Sequence, residues 1–152
     1  MKVKKEEILI QIKMELESKL ELALASLETA TKSARSNEMK SESKWDTRGI
    51  EAGYLASAQK KRVSEIETEI GVLEKMKALP IEQVAVGALV QTSLFKEPLF
   101  FTELTGGIKL KINEQDIRII SLNSLLGEAM IGLNQGDDFE FQEKDFQILS
   151  LY

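Results

Sequence analysis

The sequence predicts an α+β fold, an N-terminal antiparallel coiled-coil helical hairpin over residues 1–79 followed by a β-rich domain over residues 80–152. Three observations predict it. Apolar residues recur at three- and four-residue intervals through Leu16, Leu20, Leu24, Leu27, Thr31 and Ala34, which is the spacing of one helix face. The same spacing returns through Ala52, Ala56, Gln59, Val63, Ile66, Ile70, Leu73 and Met76. Beyond Pro80 the pattern changes to short apolar runs, and helices followed by strands indicate two domains with a boundary near Leu79 and Pro80.

The first helix is expected from about Lys5 to Ser36, with Glu and Lys filling its outer positions. Its N-terminal side begins basic, but the apolar run stops at ILI and acids follow at once. Neither a signal peptide nor a membrane span is expected there, and the protein is read as cytoplasmic. The second helix ends before Pro80. Folded back antiparallel, the two stripes pair Leu20 with Leu73, Leu24 with Ile70, Leu27 with Ile66, Thr31 with Val63 and Ala34 with Gln59. That register centres the turn on Asp46 or Thr47, inside the stretch KSESKWDTRGIEAGY. Arms of about 30 residues give a hairpin about 45 Å long at 1.5 Å per residue. A pairing satisfied within one chain makes a monomer the expectation.

The second half reads as strands at QVAVGALVQTSL, PLFFTEL, GIKLKI, IRIISL, DFEFQ and DFQILSLY, separated by Gly, Asn, Asp and Glu turns. SLLGEAMIG alone has a helical pattern. The chain of 152 residues is 43% hydrophobic and 30% charged, which excludes a disordered chain. It has no cysteine and no histidine. Thiol nucleophiles, disulfides, Ser-His-Asp triads and His-ligated zinc are therefore excluded. A metal, if any, is a hard, oxygen-preferring ion such as Mg²⁺, and none is expected to bind tightly.

Charge is divided unevenly. Residues 1–79 carry 15 Lys and Arg against 14 Asp and Glu, net +1, and residues 80–152 carry 5 against 11, net −6. In the expected register Lys32 and Arg35 lie at nearly the same height as Lys60, Lys61 and Arg62, which makes a basic collar. At the tip, around residues 45–51, stand Trp45, Asp46 and Glu51. Asp46 and Glu51 are candidate metal ligands and Trp45 a candidate contact with a partner or a base. Plainer roles stand beside these: Asp46 as a helix cap three residues after Ser43, Glu51 in the favourable first turn of a helix, Trp45 covering the coiled-coil end, and the collar as a solvated face. Tyr54 is expected to pack against the opposite helix.

The stretch IISLNSLLGEAMIGLNQGDDFEF resembles the Gre transcription factors, through Ser121, Ser124, Gly127, Ala129, Ile131, Gly132, Gly136 and Asp137, with Leu125 where the family usually has proline. AGYLASAQKKRVSEIETEIGVLEKM is similar to the opening of the second helix of their coiled coil, so the resemblance covers nearly the whole chain. It implies that residues 80–152 are an FKBP-like domain that docks on bacterial RNA polymerase, through Ser121, Asn123, Ser124, Leu126 and Gly127. It also implies that the coiled-coil tip enters the secondary channel, where in cleavage factors two carboxylates help hold a second Mg²⁺. The family's Asp-Leu-Ser-Glu-Asn-Ala tip is not reproduced: its acidic positions fall on Thr47 and Ile50, with Asp46 and Glu51 one position away in opposite directions.

The expected function is accordingly a Gre-like elongation regulator, not itself an enzyme, that either stimulates transcript cleavage by the polymerase or retunes its channel, with nascent RNA reached through that complex. The competing reading is a coiled-coil structural or adaptor protein that makes no polymerase contact. A prolyl-isomerase role is disfavoured, since fold alone does not carry activity.

Overall fold

The structure, a computed structural model, describes residues 3–40, 48–104 and 108–152. By its contacts the chain falls into two units, Met1–Ile12 with Val72–Tyr152, and Lys13–Gly71. The expected domains 1–79 and 80–152 follow the change in apolar period, whereas the contacts gather the roots of both helices with the strands.

Two long helices form the hairpin, α1 (Lys5–Lys40) and α2 (Arg48–Glu74). Two glutamates in the first turn of α1, Glu6 and Glu7, suit the positive end of its dipole, and Glu7 also accepts from the Lys4 amide. The buried seam of α1 runs Leu16, Leu20, Ala23, Leu27, Ala30 and Ala34, and that of α2 runs Ala52, Ala56, Gln59, Val63, Ile66, Ile70 and Leu73. Both alternate steps of three and four, the heptad of a coiled coil. Ala23, Val63 and Ile66 form one buried cluster, with Leu20, Leu27 and Ile70 packed against it.

This corrects the expected pairing in two ways. Leu24 does not lie in the seam; it is 47% exposed, and Ala23 takes its place. The register is also displaced. Gln59, expected opposite Ala34, lines a hollow with Leu22, Ala23 and Ser26, about one heptad or roughly 10 Å nearer the root. The expected centre of the turn, Asp46 or Thr47, lies outside the described residues, between the end of α1 at Lys40 and the start of α2 at Arg48. The cause is the repeat itself: sliding one heptad stripe by seven residues lays apolar on apolar again. In the observed register the alanines of both helices face each other towards the tip, and the leucines and isoleucines lie towards the root.

The strands form one six-stranded mixed sheet: β1 (Leu89–Thr92), β2 (Leu99–Thr102), β3 (Lys109–Ile112), β4 (Gln115–Ser121), β5 (Asp138–Phe141) and β6 (Lys144–Leu151), in the order β3-β4-β2-β1-β6-β5. Only β2 and β4 are parallel, and the chain between them includes the β3 hairpin. A short helix, α3 (Leu125–Met130), follows β4, as the pattern of SLLGEAMIG predicts. Leu99 and Phe101 of β2 join Val90, Leu126, Met130, Phe139 and Ile148 in the main core. Phe100, between them, points to the other face and is equally buried. Strand β2 is thus covered on both faces, which explains why PLFFTEL is a continuous apolar run and not an alternating one.

Candidate functional site

The corner that follows β4 is built by Ser121 and Ser124. Ser124 is the N-cap of α3: its backbone is extended, and its hydroxyl accepts from the Gly127 amide at 3.1 Å while donating to the Ser121 carbonyl at 2.6 Å. The Ser121 hydroxyl accepts from the Asn123 amide at 3.2 Å. One hydroxyl therefore both starts the helix and ties it to the strand it leaves. Gly127 lies against that turn. A Cβ there would meet the Ser121 carbonyl oxygen and stand 2.6 Å from Leu122 Cα, so only glycine lets α3 approach. The helix ends as Gly132, at φ 80°, donates to the Val84 carbonyl at 2.8 Å.

Of the five candidate docking residues, Leu126 and Gly127 are buried. They hold the corner together and offer no side chain to a partner. Ser121 and Ser124 are partly exposed but engaged in the turn, and Asn123 is exposed. The surface of the corner comes from Asn123 together with two residues that sequence reasoning did not name for docking, Leu125 at 78% exposure and Ile131 at 54%. Leu125 occupies the first helical position, where a proline is also well accommodated. The helical spacing of Leu126 and Met130 was the available signal that Leu125 faces outward.

At the tip, Trp45 and Asp46 lie outside the described residues. Glu51 lies in the first turn of α2, exposed to solvent. Its carboxylate is a hard oxygen donor, the ligand type that Mg²⁺ prefers. Among the described residues no group of three or more carboxylates stands close enough to hold a metal ion. Tyr54 does not pack against α1; it is 73% exposed, as is Ile50 one turn earlier at 55%. The first turns of α2 thus present two apolar side chains beside the tip.

The candidate basic residues Lys32, Arg35, Lys60, Lys61 and Arg62 are all exposed, but they do not form a ring. The displaced register moves Lys60, Lys61 and Arg62 towards the root, and Arg62 lines a hollow with Lys19. Lys32 pairs with Glu28 at 3.0 Å and Lys61 with Glu65 at 4.0 Å. Such exposed pairs along a helix are worth about 0.3–0.5 kcal/mol each, so both cations remain available to a stronger anion.

No family model matches the chain, and no curated protein does. Along most of its length the chain is similar to solved structures of Gre factor homologs. The transcription factor Gfh1 shares 18% identity over 92% of both chains, with a TM-score of 0.37. GreA factor homolog 1 of Thermus thermophilus shares 20% over 92% of this chain and 94% of that one, with a TM-score of 0.33. Gfh1 of Thermus aquaticus shares 21% over 91% and 92%, with a TM-score of 0.35. Among the described residues no helix is long and apolar enough to cross a membrane.

Proposed function

We propose that this chain is a Gre-like regulator of transcription elongation that binds bacterial RNA polymerase. Residues 80–152, read as an FKBP-like domain, dock it on the rim of the secondary channel, and the hairpin carries its tip toward the active centre. The chain modulates the polymerase's own activity and performs no chemistry alone.

The observation that carries this reading is the corner from Ser121 to Gly132. Three of the residues through which the segment resembles the Gre factors have a mechanical task there: Ser124 caps, Gly127 admits the helix, and Gly132 turns the chain at positive φ. Together they present Asn123, Leu125 and Ile131 outward on a rigid mount, and an exposed apolar pair beside a polar group suits a protein partner. The exposed cations of the hairpin suit phosphates of extruded RNA. A second Mg²⁺ held between tip and polymerase would supply two-metal phosphodiester hydrolysis; Glu51 offers it an oxygen ligand, and Asp46 is the other candidate.

The test uses backtracked elongation complexes with Mg²⁺ and the full chain, comparing wild type with Asp46→Ala and Glu51→Ala. Cleavage from the RNA 3′ end that both substitutions abolish makes the tip a cleavage stimulator. Binding without cleavage makes the chain a modulator that occupies the channel. Absence of binding overturns the polymerase reading in favour of the adaptor.

A further inference from the structure

One side of the hairpin is neither charged nor covered. Beside its buried seam α1 carries a second stripe, Leu22, Ala25, Ser26, Thr29 and Ser33, spaced at one to four residues without a charge. With Leu55 and Gln59 of α2 these residues line a groove of about 510 Å³. Rootward it continues into a hollow that Leu22, Ser26 and Gln59 share with Lys19 and Arg62. Leu22 is 70% and Leu55 54% exposed, although both lie in a concave surface where a partner would cover them.

The electrostatics of the groove are one-sided. No carboxylate lines either part of it. Lys13, Lys32 and Lys61 each stand near a glutamate one turn away, but among the described residues neither Lys19 nor Arg62 makes an ion pair. The groove is therefore uncharged along its length, with Leu22 and Leu55 as its large apolar side chains, and cationic at its root end. Its small residues, Ala25, Ser26, Thr29 and Ser33, leave room for the ridge of another helix. The stretch from Leu22 to Ser33 is about 17 Å long, which matches about three turns.

We propose that this groove docks an acidic amphipathic helix of a partner protein. Apolar side chains of that helix lie between Leu22 and Leu55, and its carboxylates reach Lys19 and Arg62, completing a three-helix bundle. Helix-in-groove recognition by apolar anchors one turn apart is a general mode, and unpaired cations at one end select the sign and direction of the incoming helix. Nucleic acid fits less well, since phosphates leave the leucines in water. A second copy of this chain fits less well too, since its matching groove brings the same two cations. The inference stands apart from the polymerase reading and survives its failure.

The chain has no cysteine, so a Ser33→Cys variant accepts a single environment-sensitive fluorophore at the edge of the groove. The probe is a synthetic helix of about 18 residues with leucine on one face and glutamate elsewhere, titrated against the labelled full-length chain. Saturable binding is expected, weakened at least about tenfold by Leu22→Asp and by the pair Lys19→Glu and Arg62→Glu, and absent for a peptide with lysine in place of glutamate. Circular dichroism of these surface variants should match wild type. Failure of the acidic peptide to saturate, equal binding by a scrambled peptide, or binding indifferent to the substitutions overturns the proposal. So does light scattering that shows a dimer which Leu22→Asp dissolves.

Discussion

Gly127 shows how one residue sets a surface it does not join. Its Cβ position is filled by the backbone of Ser121 and Leu122, atoms that cannot swing aside. Gly127→Ala therefore has to lift α3 off the strand end, and overpacking of this kind costs about 1–3 kcal/mol. A lower urea midpoint with unchanged helix content checks it. Gly127 and Leu126 were legible as important in the sequence, but the kind of importance was not, because a motif marks a residue without saying whether it faces in or out. Lys5 was not legible at all. It is buried, and its Nζ donates to the Leu79 carbonyl at 2.8 Å. Burial pushes the ammonium below its ordinary value of 10.5, with Glu6 opposing. The unfolded chain thus holds this proton to higher pH than the folded one. Between the two values the unfolded state binds more protons, so the contribution of Lys5 to stability rises with pH up to about 10.5 and is flat below the window. The stability difference between wild type and Lys5→Met, followed by urea unfolding from neutral to alkaline pH, is expected to shift in favour of wild type over that window; a constant difference would refute it.

At the scale of elements, two of the β-hairpins, β3–β4 and β5–β6, close on two-residue turns with glutamate at the second position. Asn113 and Glu114 join β3 to β4 at φ 51° and 64°, and Gln142 and Glu143 join β5 to β6 at φ 52° and 63°. Two consecutive positive φ angles are the type I′ turn, for which Asn-Gly is the favoured pair. Glutamate at the second position bears a left-handed strain of the order of 1 kcal/mol that glycine escapes. Glu143→Gly is accordingly expected to raise the melting temperature by about 2–4 °C, measured by calorimetry, and a fall would show that the glutamate makes a compensating contact. Strands β3 and β5 were readable because each apolar run ends at such a turn. The helix register was not, because a heptad stripe overlays its partner equally well one repeat away. What distinguishes the registers is size: Ala23 joins Val63 and Ile66 in a buried cluster, and Leu24, which the expected pairing placed in the seam, stays outside it.

For the whole molecule the division of charge matches the division of labour proposed above. Residues 80–152 carry a net charge of −6 and offer Asn123, Leu125 and Ile131 at one corner, an anchor whose grip is apolar. Residues 1–79 carry net +1, with Lys32, Arg35, Lys60, Lys61 and Arg62 exposed along the hairpin, which on that proposal makes an arm whose grip is electrostatic and sensitive to salt. The two grips are separable by mutation because their side chains lie in different elements. Leu125→Asp puts a charge into the apolar contact and is expected to weaken polymerase binding at least about tenfold, with little change in salt dependence or in the stability of the free chain. Lys60→Ser, Lys61→Ser and Arg62→Ser together are expected to leave binding to RNA-free polymerase within about threefold. On backtracked complexes the same variant should flatten the dependence of binding on salt, because each phosphate contact removed lowers the slope by about one. Competition binding on both forms of the polymerase, at two or more ionic strengths, separates the effects. Equal losses for both variants on both forms would mean that arm and anchor grip a single surface, and the assignment of RNA to the cations would fall with that result.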